Sequence, residues 1–167
     1  MESASYWLAP AAILLSAAIG FSAAWFTGLL NRRRTAISEL VTATCTSIDS
    51  LRELAVDYWI SDAHIHEDCL KKEHRILAVQ QSISLQISHL IADQKTWKPE
   101  WYRYRPTAED NDANDQAVRD ALLEFIVVVT GGDFGSSARK ADPTNCRRVI
   151  SKAERLKHEM RSRRQRY

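Results

Sequence analysis

His64, His66, Asp68, Cys69 and His74 crowd one short stretch. On a helix His66 and Cys69 share a face, as do Leu70 and His74, a geometry open to zinc or copper. No second cluster with ligand spacing occurs, and His89 stands apart. The expectation is therefore no metal site but polar surface at the mouth of a bundle, with a pH-responsive histidine patch as the intermediate case. Asp110, Asp112 and Asn114 are spaced like the start of a calcium loop. Asp115 stands where that loop needs Gly, however, and Ala121 where it needs Glu. Asp133-Phe134-Gly135 matches the magnesium triplet of kinases without their glycine-rich or catalytic loops. With no hydrolase elbow, no P-loop and no paired carboxylates in an evident pocket, neither catalysis nor a cofactor is expected.

Two further stretches carry binding chemistry. Trp97, Trp101, Tyr102, Arg103, Tyr104 and Arg105 interleave rings with cations. Such a loop offers stacking platforms beside phosphate ligands, or hot-spot residues for a subunit contact. It can equally pack over a bundle end, its arginines pairing with Glu109, Asp110 or Asp112. The second stretch is the tail, with Arg147, Arg148, Arg155, Arg161, Arg163, Arg164 and Arg166. Residues 145–167 hold nine Lys or Arg and two Asp or Glu, whereas residues 35–144 hold eleven basic and eighteen acidic groups. The tail suits anionic lipid, nucleic acid, the acidic 107–124 stretch of a neighbouring copy, or plain solvent.

The chain that must position these groups begins with WLAPAAILLSAAIGFSAAWFTGLL, Trp7 to Leu30, and no charge falls between Ser3 and Asn31. As a helix this run is ~36 Å long, against a hydrocarbon core of ~30 Å. Tyr6, Trp7, Trp25 and Phe26 suit interfacial anchoring. A cleaved signal peptide fits poorly, since Glu2 is the sole charge before a long apolar run. Arg32, Arg33 and Arg34 follow directly and put the N-terminus outside by the positive-inside rule. The expected layout is an extracytoplasmic tail over 1–6, a transmembrane helix over 7–30 and a cytosolic region over 31–167. Three cysteines, Cys45, Cys69 and Cys146, match no disulfide framework and fit a reducing compartment. Within the span Ala12, Ser16, Gly20, Ala24 and Gly28 recur every fourth residue. Close backbone approach along such a ridge is how helices associate in lipid, so the first expected partner is a second copy of the chain.

Beyond the arginines the pattern is helical throughout. Ile37, Val41, Thr44, Ile48, Leu51, Ala55 and Tyr58 alternate four and three apart, a seam that either continues the membrane helix or starts afresh after a kink. A second helix is expected over His64–Ala92 behind an Asp62 cap, facing inward with Leu70, Ile76, Leu77, Ile83, Ile87, Leu90 and Ile91. Residues 93–112 read as a loop. A third helix is expected over Ala113–Val129, with Ala117, Val118, Ala121, Leu122, Phe125, Ile126 and Val129 inside, ended by Gly131 and Gly132. The fourth starts from an Asp142 cap and Pro143, with Val149, Ile150, Ala153, Leu156 and Met160 inside. The fold class is all-α: one transmembrane helix followed by a cytosolic four-helix bundle.

This layout of Trp7–Leu30 span, Arg32–Arg34 and compact helical domain resembles the small single-span effectors that accompany bacterial antiviral systems. Some CRISPR type VI accessory proteins are of this kind, with a helical domain related to HEPN bundles and assembly into a membrane ring. The resemblance is one of architecture. The Arg-to-His spacing of HEPN ribonucleases is absent, Arg155 to His158 being too short. The likeness implies a homo-oligomeric, pore-forming or membrane-perturbing effector in a bacterial inner membrane and no active site. The alternative is a membrane-tethered module that recruits a nucleic acid or protein through the aromatic-basic loop and the tail.

Overall fold

A break at Ser61 and the glycine pair at 131–132 divide the helical pattern as expected. The computed structural model describes residues 5–61, 66–95 and 108–164, with side chains over 14–61, 68–92 and 112–162. Four helices account for almost all of this: α1, Ser5–Ile60; α2, His66–Lys95; α3, Ala108–Thr130; and α4, Pro143–Arg164. No strand occurs among the described residues. The chain divides into two compact units, Met1–Ser38 and Glu39–Tyr167.

α1 is unbroken over its 56 residues, as a stretch free of Pro and Gly from Asn31 to Trp59 permits. In the second unit its seam is the bundle core: Val41, Thr44, Ile48, Leu51, Ala55 and Tyr58 are all buried. Thr44 tolerates that burial because its hydroxyl donates to the Leu40 carbonyl at 2.7 Å. Facing it are Ile76, Ile83, Ile87, Leu90 and Ile91 of α2, Val118, Ala121 and Phe125 of α3, and Val149, Ala153, Leu156 and Met160 of α4.

Cross-links between helices set the topology. Lys72 of α2 meets Asp57 at 2.7 Å, and the Trp59 indole donates to the Val129 carbonyl at 3.1 Å. Lys157 reaches Asp49 at 2.8 Å. The helices therefore alternate in direction around the bundle. The distal end gathers the C-terminus of α1, the start of α2, the end of α3 and the start of α4. The proximal end, where α1 joins at Glu39, gathers the end of α2, the start of α3 and the end of α4.

Both α3 boundaries follow local chemistry. Its start at Ala108 lies earlier than the apolar pattern suggested, because Glu109, Asp110 and Asp112 favour a helix N-terminus. Its end is followed by Gly132 at φ 62°, a conformation that costs glycine nothing. α4 starts as expected, with the Asp142 carboxylate accepting from the Asn145 amide at 3.0 Å. Not every side chain assigned to the core is in it: Leu70, Leu77 and Ile150 are exposed, and Ile37, Ala117, Leu122 and Ile126 are only half-buried. Leu77 and Ile150 follow Ile76 and Val149 directly, and a helix turns each by ~100° onto the flank.

Candidate functional site

The described part of the first unit exposes its large apolar side chains from Leu14 to Trp25. Leu14, Leu15, Ile19, Phe21 and Trp25 are 62–71% exposed on α1. Its hydroxyls are satisfied within the helix: Ser22 donates to the Ala18 carbonyl at 2.7 Å and Thr27 to the Ala23 carbonyl at 2.8 Å. That is the arrangement an apolar solvent demands, since it offers no water to an open donor. Among the described residues this is the one helix long and apolar enough to cross a membrane. Ser16, Gly20 and Ala24 of the small-residue ridge are exposed, and Gly28 is half-buried. A methyl group built on Gly20 or Gly28 would meet nothing within 4 Å. At these two positions the ridge has room for a Cβ. Ala12 lies in α1, but its side chain is outside the described ones. Arg32 and Arg34 are exposed at the far end of the unit.

The second unit concentrates its polar chemistry at the distal end, around Arg139. This guanidinium is 3% exposed, in the connection between α3 and α4. It lies 3.9 Å from the centroid of the Tyr58 ring, donates to the Ser61 carbonyl at 2.6 Å and approaches the Cys69 sulfur at 3.9 Å. A cation at the C-terminus of α1 is well placed against the helix dipole. Tyr58 in turn donates to Glu73 at 2.8 Å and accepts from the Gly135 amide at 3.0 Å. Burial pushes its phenol pKa up, so it stays a protonated donor. Asn145 bonds the Val128 carbonyl at 3.0 Å, and the Asp142 amide bonds the Trp59 carbonyl at 2.8 Å. The cluster joins four helix ends to one loop. The sequence reading missed Arg139, Trp59 and Asn145, because a lone Arg in GSSARKA or an Asn one turn into a helix has no periodic signature.

The basic tail divides into two groups. Facing the bundle, Lys152 and Arg155 both bind Glu124, and the Lys152 bond leads in holding that carboxyl below its ordinary pKa. Lys157 binds Asp49 at 2.8 Å and Glu154 at 2.7 Å. Burial opposes the charge on Lys157, yet these bonds hold its pKa above the usual lysine value. Arg147, Arg148 and Arg161 are exposed. Arg163 and Arg164 lie in α4 with side chains outside the described ones, as does Arg166 wholly. Part of the acidic 107–124 stretch thus serves its own chain, through Glu124.

Trp97, Trp101, Tyr102, Arg103, Tyr104 and Arg105 lie outside the described residues, as do His64 and the side chain of His66. Among the described residues no three of His, Cys, Asp and Glu are grouped to hold a metal ion. The cysteines are free thiols, with Cys45 and Cys146 buried and raised in pKa mainly by that burial. Comparison with known proteins adds no relative: no family model, no curated protein and no solved structure matches the chain.

Proposed function

We propose that this chain is a single-span membrane protein, N-terminus outside, that assembles with copies of itself and perturbs the bilayer. It does so as a non-catalytic effector of the kind found in bacterial antiviral defence. The observation that carries the reading is the first unit, a charge-free helical surface of exposed Leu, Ile, Phe and Trp whose hydroxyls are closed within the helix. Lipid covers such a surface without further chemistry. One span cannot enclose a pore, so conduction requires several copies, and the open ridge at Ser16, Gly20, Ala24 and Gly28 is where their backbones would approach.

The test is the mass of the full chain in mild detergent, beside Gly20→Leu and Gly28→Leu. A Cβ added at either position meets nothing within 4 Å, so a change in mass reports on contacts between copies. The expected result is a discrete oligomer that both substitutions dissolve, with dye release from vesicles lost in parallel. A wild-type monomer would remove the basis of the reading. Arg147 and Arg148, exposed on α4 and outside every ion pair described above, favour the second reading of a tethered module that recruits a nucleic acid or protein. That reading predicts RNA binding by the detergent-solubilised chain with a steep salt dependence.

A further inference from the structure

The outward face of the bundle is charged on three helices. Exposed on α1 are Glu39, Glu53 and Asp57; on α3, Arg119 and Asp120 flank the exposed Leu123 and Val127; on α4, Arg147 and Glu154 flank the exposed Ile150. α2 differs. A stripe centred on Gln81 runs along it from Leu70 to Ala92 without one Asp, Glu, Lys or Arg. Leu77 and Leu85 stand four residues either side of Gln81, His74 and Ser88 seven, and Leu70 and Ala92 eleven. The helical turn brings all of them within ~40° of one line. Each is exposed, the three leucines by 39, 46 and 57%. Along this stretch the nearest charged side chains, Lys71 and Glu73, stand ~80° to either side of the line, and Glu73 is taken by Tyr58.

The stripe has the same character in both directions from Gln81: apolar at four residues, polar at seven, apolar at eleven. Two copies of α2 laid antiparallel with their Gln81 residues opposed therefore match at every step. Leu77 meets Leu85, His74 meets Ser88 and Leu70 meets Ala92, and each contact occurs twice. The two Gln81 amides can each donate to and accept from the other. Such self-matching is what an isologous two-fold interface requires. A parallel pair matches like with like for any sequence, so only the antiparallel one needs the palindrome. The stripe is ~33 Å long and ~10 Å wide, so a pair covers ~700 Å², below the ~1,200 Å² of a stable standard interface. The contact is a weak one that adds to others.

We infer that the outer face of α2 is a contact with a second copy of the chain, antiparallel and centred on Gln81. It involves the second unit alone, so it stands whether or not α1 crosses a membrane. It gives the assembly proposed above a contact outside the small-residue ridge.

The test is disulfide formation in the full chain in mild detergent under gentle oxidation, read as dimer on a non-reducing gel. It is run at ~0.1 mM chain, where contacts of micromolar strength are filled. Gln81→Cys should cross-link at least ~10-fold faster than Ser151→Cys, because only apposed Cβ atoms come within ~3.5–4.5 Å. Ser151 is exposed on α4, and the native cysteines set the wild-type baseline. A mixture of Leu77→Cys and Leu85→Cys chains should cross-link as the mixed pair, and neither chain alone. Leu77→Asp added to Gln81→Cys should slow the reaction ~10-fold or more, because a carboxylate then meets Leu85 at both ends of the contact. Equal rates for Gln81→Cys and Ser151→Cys would overturn the contact, and an oligomer in detergent would then rest on the first unit alone. Cross-linking of Leu77→Cys with itself would overturn the antiparallel arrangement. Fast cross-linking of Gln81→Cys in a chain whose mass Gly20→Leu and Gly28→Leu leave unchanged would uphold the α2 contact while the ridge failed.

Discussion

Two stretches of α1 have the same backbone and opposite surroundings. Between Val41 and Trp59 every residue of the apolar seam is buried by α2, α3 and α4. Between Leu14 and Trp25 the large apolar side chains have no cover from their own chain. The lesson is that helix formation and helix burial are separate matters. The first is a property of the local sequence, with no Gly or Pro from Asn31 to Trp59, whereas the second depends on what else is present. In the bundle the chain supplies its own apolar surroundings. In the stretch from Leu14 to Trp25 it supplies little of them.

The largest test of this contrast sets Phe125→Ala against Ile19→Ala in urea unfolding of the detergent-solubilised chain. Phe125 is fully buried, and its truncation should cost about 3–5 kcal/mol. Ile19 is exposed, and its truncation should leave the unfolding of the bundle within about 0.5 kcal/mol of wild type. Similar costs for the two would mean that the first stretch is part of the same folded core, and the contrast would fail.

A second change sharpens the contrast by removing the cation that closes the bundle end of α1. Arg139→Met gives up the charged bond to the Ser61 carbonyl and the stack on Tyr58. Together these should amount to about 2–4 kcal/mol. Amide exchange at Gly135 and Arg139 should accelerate while Ser22 and Thr27 of the first stretch stay unchanged. Arg139→Lys should not restore protection, because an ammonium cannot lie flat on the ring and reach the carbonyl together. Uniform acceleration along the chain would mean that the distal joint and the N-terminal helix unfold as one.

The smallest effect concerns Glu124, held by Lys152 and Arg155. Its folded pKa is lowered, so the stability it contributes is present above the unfolded carboxylate pKa, ~4.3, and is lost as pH falls through the folded value. Glu124→Gln should therefore be less stable than wild type near pH 7, and the gap should close as pH drops below about 4. A gap that persisted at pH 2 would show that the two cations hold the α3–α4 pair by some route other than charge.

Much of this molecule was legible from residue order because the relevant physics is local. The heptad seam from Val41 to Tyr58 announces a buried helix face, and Asp142-Pro143 announces a helix start. The errors share a cause as well. Leu70, Leu77 and Ile150 were placed inside because apolar residues beside a seam look alike in one dimension. How wide a stripe each helix buries depends on the approach of its neighbours, which spacing does not encode. Cys69 appeared beside histidines as a candidate ligand, and its neighbour in the fold is Arg139, 70 residues away along the chain.

The sequence by itself determined the charge-free run from Ser3 to Asn31, the helical periods and the polarity between an acidic middle and a basic tail. These are properties of neighbouring residues, and no folding is needed to read them. Tertiary structure alone decided that Arg139 is buried against Tyr58. It also decided which tail cations are held by Asp49 and Glu124, and that the last turn of α4 returns to the end where α1 joins the bundle. Each of these pairs groups far apart in the chain, and only the packing of four alternating helices brings them within hydrogen-bonding distance or to the same end.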